Sequence, residues 1–466
     1  MSLLALLAPA LLATTSPSPP IVQQKVEAKL SEVGPGTRFG LVVTTLDGRE
    51  LVAIAPGQRF MPASNTKILT TAAAFATLQG LDQPDAPSGA QVRLVAGAKG
   101  RSDVLLEGRG DARLSSAPGC LEDCLATLAD AVAARTRRVG NVIGDARAYP
   151  DERWSQGMSW NNIPTSSGTA LSALTLDDNE LTLRVRPGSA GSPPLVDVPT
   201  YFQLVNEAKT VADGKSALEL VRLPGSRVLV VRGTVLASDK ERTIRLGIDD
   251  PAHYAAWRFK AMLEERGVRV AGSARTALPS DPLATAPVLA ALVPPPLGRD
   301  LVTINKVSQN LHAELLLRRL GAADGEGSAA KGIAAIGRMT TQAGLPASSW
   351  RLADGSGMST YNRVSPRGMT TLLRWAHGQP WGAAFRASLP VGGIDGTLAR
   401  RFADGPLRGR IFAKTGSLDA TNALAGYLLT RRGQTLVFAF YANDVPEEVR
   451  ATRTMDAALE MLATEL

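Results

Sequence analysis

The stretch FMPASNTKILTTAAAF, residues 60–75, sets Ser64 and Lys67 three residues apart at the head of a run rich in alanine and leucine. Ala, Leu and Lys at helical spacing predict a helix beginning near Ser64. A serine after Pro62 is an ordinary helix start, and its hydroxyl can serve as an N-cap. The same spacing also permits chemistry. Positions i and i+3 share a helix face, so the Lys67 amine can reach back to the Ser64 hydroxyl. A buried lysine gives up its proton more readily and can then accept one from serine. The tetrad alone carries little weight, because composition predicts roughly one Ser-x-x-Lys by chance in a chain of this length.

Immediately before this stretch, TRFGLVVTTLDGRELVAIAPGQRF reads as a strand, an Asp47-Gly48 turn and a second strand. At the far end, NALAGYLLTRRGQTLVFAFYAND gives two β-rich runs around a polar turn, and EVRATRTMDAALEMLATEL has helical spacing. Strands at both termini with helices between them predict an α/β (α+β) domain whose sheet is built from the two ends of the chain. From about 90 to 290 the character changes. Short β-like runs such as TLRVRP, RVLVVRGTV and TIRLGI alternate with Gly and Pro, and the Pro-rich LATAPVLAALVPPPLGRD closes the region. A large, mainly β insertion is expected there.

At 466 residues the chain exceeds one small core, so two or three domains are expected. The net charge of +8 is spread thinly, with no block of five or six basic residues. That argues against a nucleic-acid partner and for a solvated basic surface, suited to an anionic cell wall. Residues 1–20 are expected to be a signal segment: an apolar run of about 11 residues, then a Ser/Pro-rich stretch, although no Lys or Arg precedes it. The run is too short to span a bilayer, so export with at most peripheral membrane contact is expected. Cys120 and Cys124, four residues apart in GCLEDCLATLA, would lie about 6 Å apart on a helix. Both a disulfide and two buried thiols fit that spacing. His253, His312 and His377 match no metal-ligand spacing, and His312 reads as a packing residue.

Two further stretches bear on Ser64. INKVSQNLHAELLLRRLG carries Ser308-Gln309-Asn310 at the start of a helical segment. GRIFAKTGSLDATNALAGY carries Lys414-Thr415-Gly416, read as the end of a strand. The three motifs, in this order, are the set used by active-serine penicillin-recognising enzymes. With GRGDARL, GNVIGDARAY, LADGSGMSTYNRVSP and LPVGGIDGTLARRF added, the chain resembles the class C low-molecular-mass penicillin-binding proteins, the D-alanyl-D-alanine carboxypeptidase/endopeptidase family. The gap of more than 200 residues between the first two motifs is part of that resemblance, which covers nearly the whole chain.

The resemblance implies a transpeptidase/β-lactamase-like domain of antiparallel sheet flanked by helices, residues 21–88 and 297–466. Two nested, mainly β domains would interrupt it, the first at 89–150 and 226–296, the second at 151–225. It implies a catalytic set of Ser64 as nucleophile, Lys67 as base, Ser308 and Lys414 as proton relay, and Asn310 as a positioning group. Thr415, Gly416 and Ser417 would bind substrate, Thr415 at the terminal carboxylate, with the Ser64 and Ser417 N–H groups as oxyanion hole. Asp145 and Arg363 would hold the amine and carboxylate of a diamino-acid side chain. Asp419 stands where some relatives carry a neutral polar residue. The implied substrates are peptidoglycan stem peptides, with β-lactam antibiotics as inhibitors and no cofactor. A β-lactamase- or esterase-like acyl-serine hydrolase is the alternative.

Overall fold

The computed structural model describes residues 19–281 and 285–466. The expected signal segment, apart from its last two residues, lies outside the described residues. A five-stranded antiparallel sheet is made from the two ends of the chain. The early part supplies β1 (Arg38–Thr45) and β2 (Glu50–Ile54), and the late part β3 (Ile411–Leu418), β4 (Thr421–Leu429) and β5 (Thr435–Asn443). The order is β3-β4-β5-β1-β2. The seam between the two ends is the β1–β5 ladder, from Arg38 opposite Asn443 to Thr45 opposite Leu436.

Both faces of this sheet are covered, which explains why β5 reads as an almost continuous apolar run. Val437, Ala439 and Tyr441 point to one core, while Leu436, Phe438 and Phe440 point to the other, following the two-residue period of a strand. The second core is closed by α1 (Pro19–Ser31) and α10 (Ala451–Glu465). The first is closed by α2 (Thr66–Thr77) and, later in the chain, α5 (Gly298–Lys306), α6 (Asn310–Ala322), α7 (Ala329–Gln342), α8 (Pro366–His377) and α9 (Gly382–Ser388). Helix α2 is buried along Thr66–Ala74. A helix apolar or small on every side is stable only inside a core.

The middle of the chain forms further sheets with α3 (Leu125–Arg135) and α4 (Pro251–Glu265) packed on them. One five-stranded sheet runs, in order, Ala274–Thr276, Val142–Asp145, Ser102–Glu107, Gln91–Ala96 and Val288–Ala291. The strand Val228–Leu236 pairs with Gln203–Asn206, Lys209–Val211 and Ala217–Val221, and Arg242–Gly247 pairs with Glu180–Arg186. These pairings correct the expected division at 226: both returning strands belong by hydrogen bonding with the segment read as the second insertion. Strand pairing is non-local and leaves no mark in residue spacing. A second correction concerns the cysteines. Cys120 and Cys124 are bridged, with Cα atoms 5.7 Å apart, but they precede a helix rather than lie on one, since Cys124 is the N-cap residue of α3.

Phe438 is wholly buried between the sheet and the terminal helices, so Phe438→Ala is expected to cost about 3–5 kcal/mol. The shift in the denaturant midpoint measures it, and a loss under about 1 kcal/mol contradicts this core assignment.

Candidate active site

Ser64 sits in a single 3-10 turn, Ala63–Asn65, that runs directly into α2. It does not cap the helix: Pro62 and Asn65 hold the two cap positions and neither makes a side-chain cap bond. The Ser64 hydroxyl instead faces Lys67, whose Nζ lies 2.9 Å away. Lys67 is wholly buried, and its Nζ also meets Asn310 Oδ1 at 2.7 Å and the Ser356 carbonyl at 2.5 Å. Three acceptors match the three N–H bonds of an ammonium. A neutral amine donates to two of them and keeps a lone pair for the third. Burial drives the Lys67 pKa down, the charges of Asp354 and Glu314 oppose it, and the result is about 7.

Asn310 is the first residue of α6, and Gln309 caps that helix by accepting the Leu311 N–H. The Asn310 amide also donates to the Ser167 carbonyl, 3.0 Å away in the middle region of the chain. Ser308, in the break between α5 and α6, holds φ at 64°, a left-handed conformation that strains a non-glycine residue. Its hydroxyl lies 2.9 Å from Lys414 Nζ. Lys414 is likewise wholly buried, and its amine also donates to the Thr415 carbonyl at 3.0 Å. Burial, then the charge of Lys67, hold its pKa well below the ordinary lysine value. The Lys-Thr-Gly triplet is not at a strand end, as the sequence suggested. It lies within β3, which continues to Leu418 because Thr415, Gly416 and Ser417 pair with Leu424, Ala423 and Asn422.

Two close approaches bring β3 and the Ser64 turn together. The Asn65 amide donates to the Lys414 carbonyl at 2.7 Å. A side chain on Gly416 would stand 2.6 Å from the Pro62 carbonyl, and one on Gly357 would stand 1.9 Å from the Ala63 carbonyl and 3.0 Å from the Ser64 nitrogen. Neither position has room for a Cβ. Thr415 Oγ1 meets Thr397 Oγ1 at 2.7 Å, and the turn carrying Thr397 is tied to the end of α5 by a Lys306–Asp395 ion pair at 2.6 Å.

Ser64, Lys67, Ser308, Asn310, Lys414 and Thr415 are therefore gathered in one region. Asp145 and Arg363 are not in contact with this group. Both Asp145 oxygens accept from Arg147, with contacts of 2.9 and 2.6 Å. The Arg363 guanidinium donates to the Thr360 and Asn362 carbonyls and has Arg38, Arg59 and Arg351 as charged neighbours. His312 is not a packing residue. It bridges Asp178 at 2.8 Å and Asp300 at 3.2 Å. Burial opposes its charge, but the two carboxylates prevail and raise its pKa to about 9.

Asn65, Glu314, Asp354, Ser356, Gly357 and Thr397 were given no individual role by the sequence, although Asp354, Ser356 and Gly357 lie in LADGSGMSTYNRVSP and Thr397 in LPVGGIDGTLARRF, two of the stretches that carry the resemblance. In the structure Gly357 of the DGSGMS segment, residues 354–359, has φ of 90°.

The comparisons with known proteins agree on the fold and the family. The solved structure of penicillin binding protein 4 from Haemophilus influenzae superposes with a TM-score of 0.80 at 20% identity, covering 93% of this chain and 98% of that one. A second structure of it, complexed with a β-lactam, gives 0.76. The D-alanyl-D-alanine carboxypeptidase of Actinomadura sp. (strain R39) is 32% identical over 424 residues, 86% of this chain and 77% of the relative. The D-alanyl-D-alanine carboxypeptidase DacB of Haemophilus influenzae is 25% identical, over 88% of this chain and 86% of the relative. The model of the D-Ala-D-Ala carboxypeptidase 3 (S13) family matches residues 22–466, and the chain belongs to that family.

Proposed function

We propose that Ser64 is the nucleophile of a serine-type D-Ala-D-Ala carboxypeptidase acting on peptidoglycan stem peptides, and that the same centre opens peptide cross-links. One observation carries the assignment: the buried Lys67 amine, met by Asn310 Oδ1 and the Ser356 carbonyl, stands 2.9 Å from the Ser64 hydroxyl. Neutral Lys67 donates its two N–H bonds to those carbonyl oxygens, which turns its lone pair toward Ser64. It takes the hydroxyl proton as Ser64 Oγ attacks the carbonyl carbon of the D-Ala-D-Ala bond.

The tetrahedral intermediate carries its charge on oxygen, and the Ser64 and Ser417 N–H groups are assigned to it, each donor contributing about 3–4 kcal/mol in comparable sites. When the C–N bond breaks, the leaving D-Ala nitrogen needs a proton. The Ser308 hydroxyl supplies it and is reprotonated with the proton that Lys67 took from Ser64, carried by Lys414, whose amine lies 2.9 Å from that hydroxyl. Thr415 takes the terminal carboxylate of the substrate. Water then hydrolyses the acyl-Ser64 ester. Penicillins present a reactive amide to the same serine and are the expected covalent inhibitors. A β-lactamase- or esterase-like activity is not favoured by the family match. The substrate's place in the wall makes an extracytoplasmic location part of this proposal.

Three outcomes are expected. Fluorescent penicillin labels one residue, Ser64, and mass spectrometry of the adduct locates it; Ser64→Ala abolishes the label, and an adduct on another residue overturns the assignment. The acylation rate rises with pH and reaches half its plateau near 7, because Lys67 acts only after losing the proton it holds below about pH 7; a rate flat from pH 5 to 9 excludes Lys67 as base. Gly357→Ala, which pushes a methyl group into the Ala63 carbonyl, is expected to slow acylation about tenfold or more through displacement of Ser64. Stopped-flow acylation by penicillin reads that loss, and an unchanged rate shows that the contact does not hold Ser64.

A further inference from the structure

Glu314 lies one helical turn after Asn310 on α6, and its side chain is turned inward. Its Oε1 accepts the Gly355 N–H at 3.0 Å and the Ser356 N–H at 2.8 Å. The carbonyl of that same Ser356 receives Lys67. Helix α6 thus holds Lys67 twice, directly through Asn310 and indirectly through Glu314 and the backbone it grips. Asp354, at the start of this segment, is fully buried. Its Oδ1 accepts the Gly357 N–H and the Asn362 amide, and its Oδ2 accepts the Ser359 N–H at 2.6 Å. On the far side of Glu314, Arg318 approaches at 3.4 Å and is shared with Glu152 at 3.2 Å. On the far side of Lys67 stands Lys414, on β3.

We propose that Glu314 is a positioning residue for Lys67: through the two amides it accepts, it fixes the Ser356 carbonyl that takes one Lys67 proton, and with Asp354 it is the carboxylate whose charge acts on that amine. This deepens the function proposed above and rests on Lys67 being the base. The two active-site lysines provide the contrast. Both are equally buried, yet burial and the charge of Lys67 act on Lys414 and push it well down. Lys67, equally desolvated, is held at about 7 by Asp354 and Glu314. The carboxylates thus act on Lys67, keeping it poised to exchange a proton with Ser64, whereas burial and the charge of Lys67 act on Lys414 beside Ser308. Burial and Asp354 in turn raise the Glu314 pKa, against the opposing pull of Arg318 and the Ser356 amide.

The test is the pH dependence of Ser64 acylation by fluorescent penicillin in the full chain, with thermal melting as a check on folding. Glu314→Gln keeps an oxygen for the two amides and removes the charge. Its acylation midpoint is expected to move to lower pH by about half a unit or more, so that relative activity at pH 6 rises about threefold. Glu314→Asp keeps the charge and shortens the reach, so it is expected to lower the rate while the midpoint stays in place. A Gln variant slowed equally at every pH, with its midpoint unmoved, overturns the proposal. So does an Asp variant whose midpoint moves as far as that of Gln. If the Gln variant melts below the assay temperature, the Asp variant alone decides. A parent enzyme with no ionisation near pH 7 refutes Lys67 as base, a result distinct from either failure.

Discussion

An amine removed from water holds its proton less firmly, and the arrangement around Ser64 depends on that constraint. Lys67 and Lys414 both lose their solvent completely. Each is tolerated because protein oxygens replace the lost water: Ser64, Asn310 and Ser356 around the first, Ser308 and the Thr415 carbonyl around the second. A lysine on the surface with the same spacing from serine would remain an ammonium at neutral pH and could not accept a proton. The enzyme's chemistry is therefore a property of its core.

The fold supplies that core by bringing together segments far apart in the chain. The β1–β5 seam joins the two ends, which sets β3 against the turn before α2. The break between α5 and α6 delivers Ser308 and Asn310 from a third direction. Non-glycine residues with left-handed φ occur on both sides of the cluster, at Ala63 and Ser308. Each such conformation costs of order 1–3 kcal/mol and persists only where neighbours over-determine it. Here the neighbours are the Gly357 and Gly416 backbones, pressed against residues 62–64, and the Lys414 amine on Ser308.

The inserted region takes part in holding this arrangement. Its Ser167 carbonyl orients the Asn310 amide. Its Asp178, together with Asp300 of α5, grips His312 on the first turn of α6. Loss of either carboxylate would leave the buried imidazole short of a partner, so the pairs fix where α6 starts. The start of α6 is thus fastened from the inserted side, and the residue that meets Lys67 lies two positions before this clamp.

What the sequence determined by itself is whatever neighbours in the chain decide. The Ser64–Lys67 pair is legible because i and i+3 meet on any helix. The strands of the large sheet are legible because a two-residue period and an Asp-Gly turn are local features, and the family resemblance follows from motifs of three or four residues. The tertiary structure alone decided the rest. Ser356 reaches Lys67 across 289 positions of chain and Asn310 across 243, while Val228–Leu236 chooses its partners by hydrogen bonding that no spacing records. Ser64 reads locally as a cap, and Lys-Thr-Gly as a strand end, until β4 and the buried amines are in place. Proton affinity belongs to this second class, since the pKa of Lys67 depends on how much water is excluded and on which distant carboxylates remain beside it.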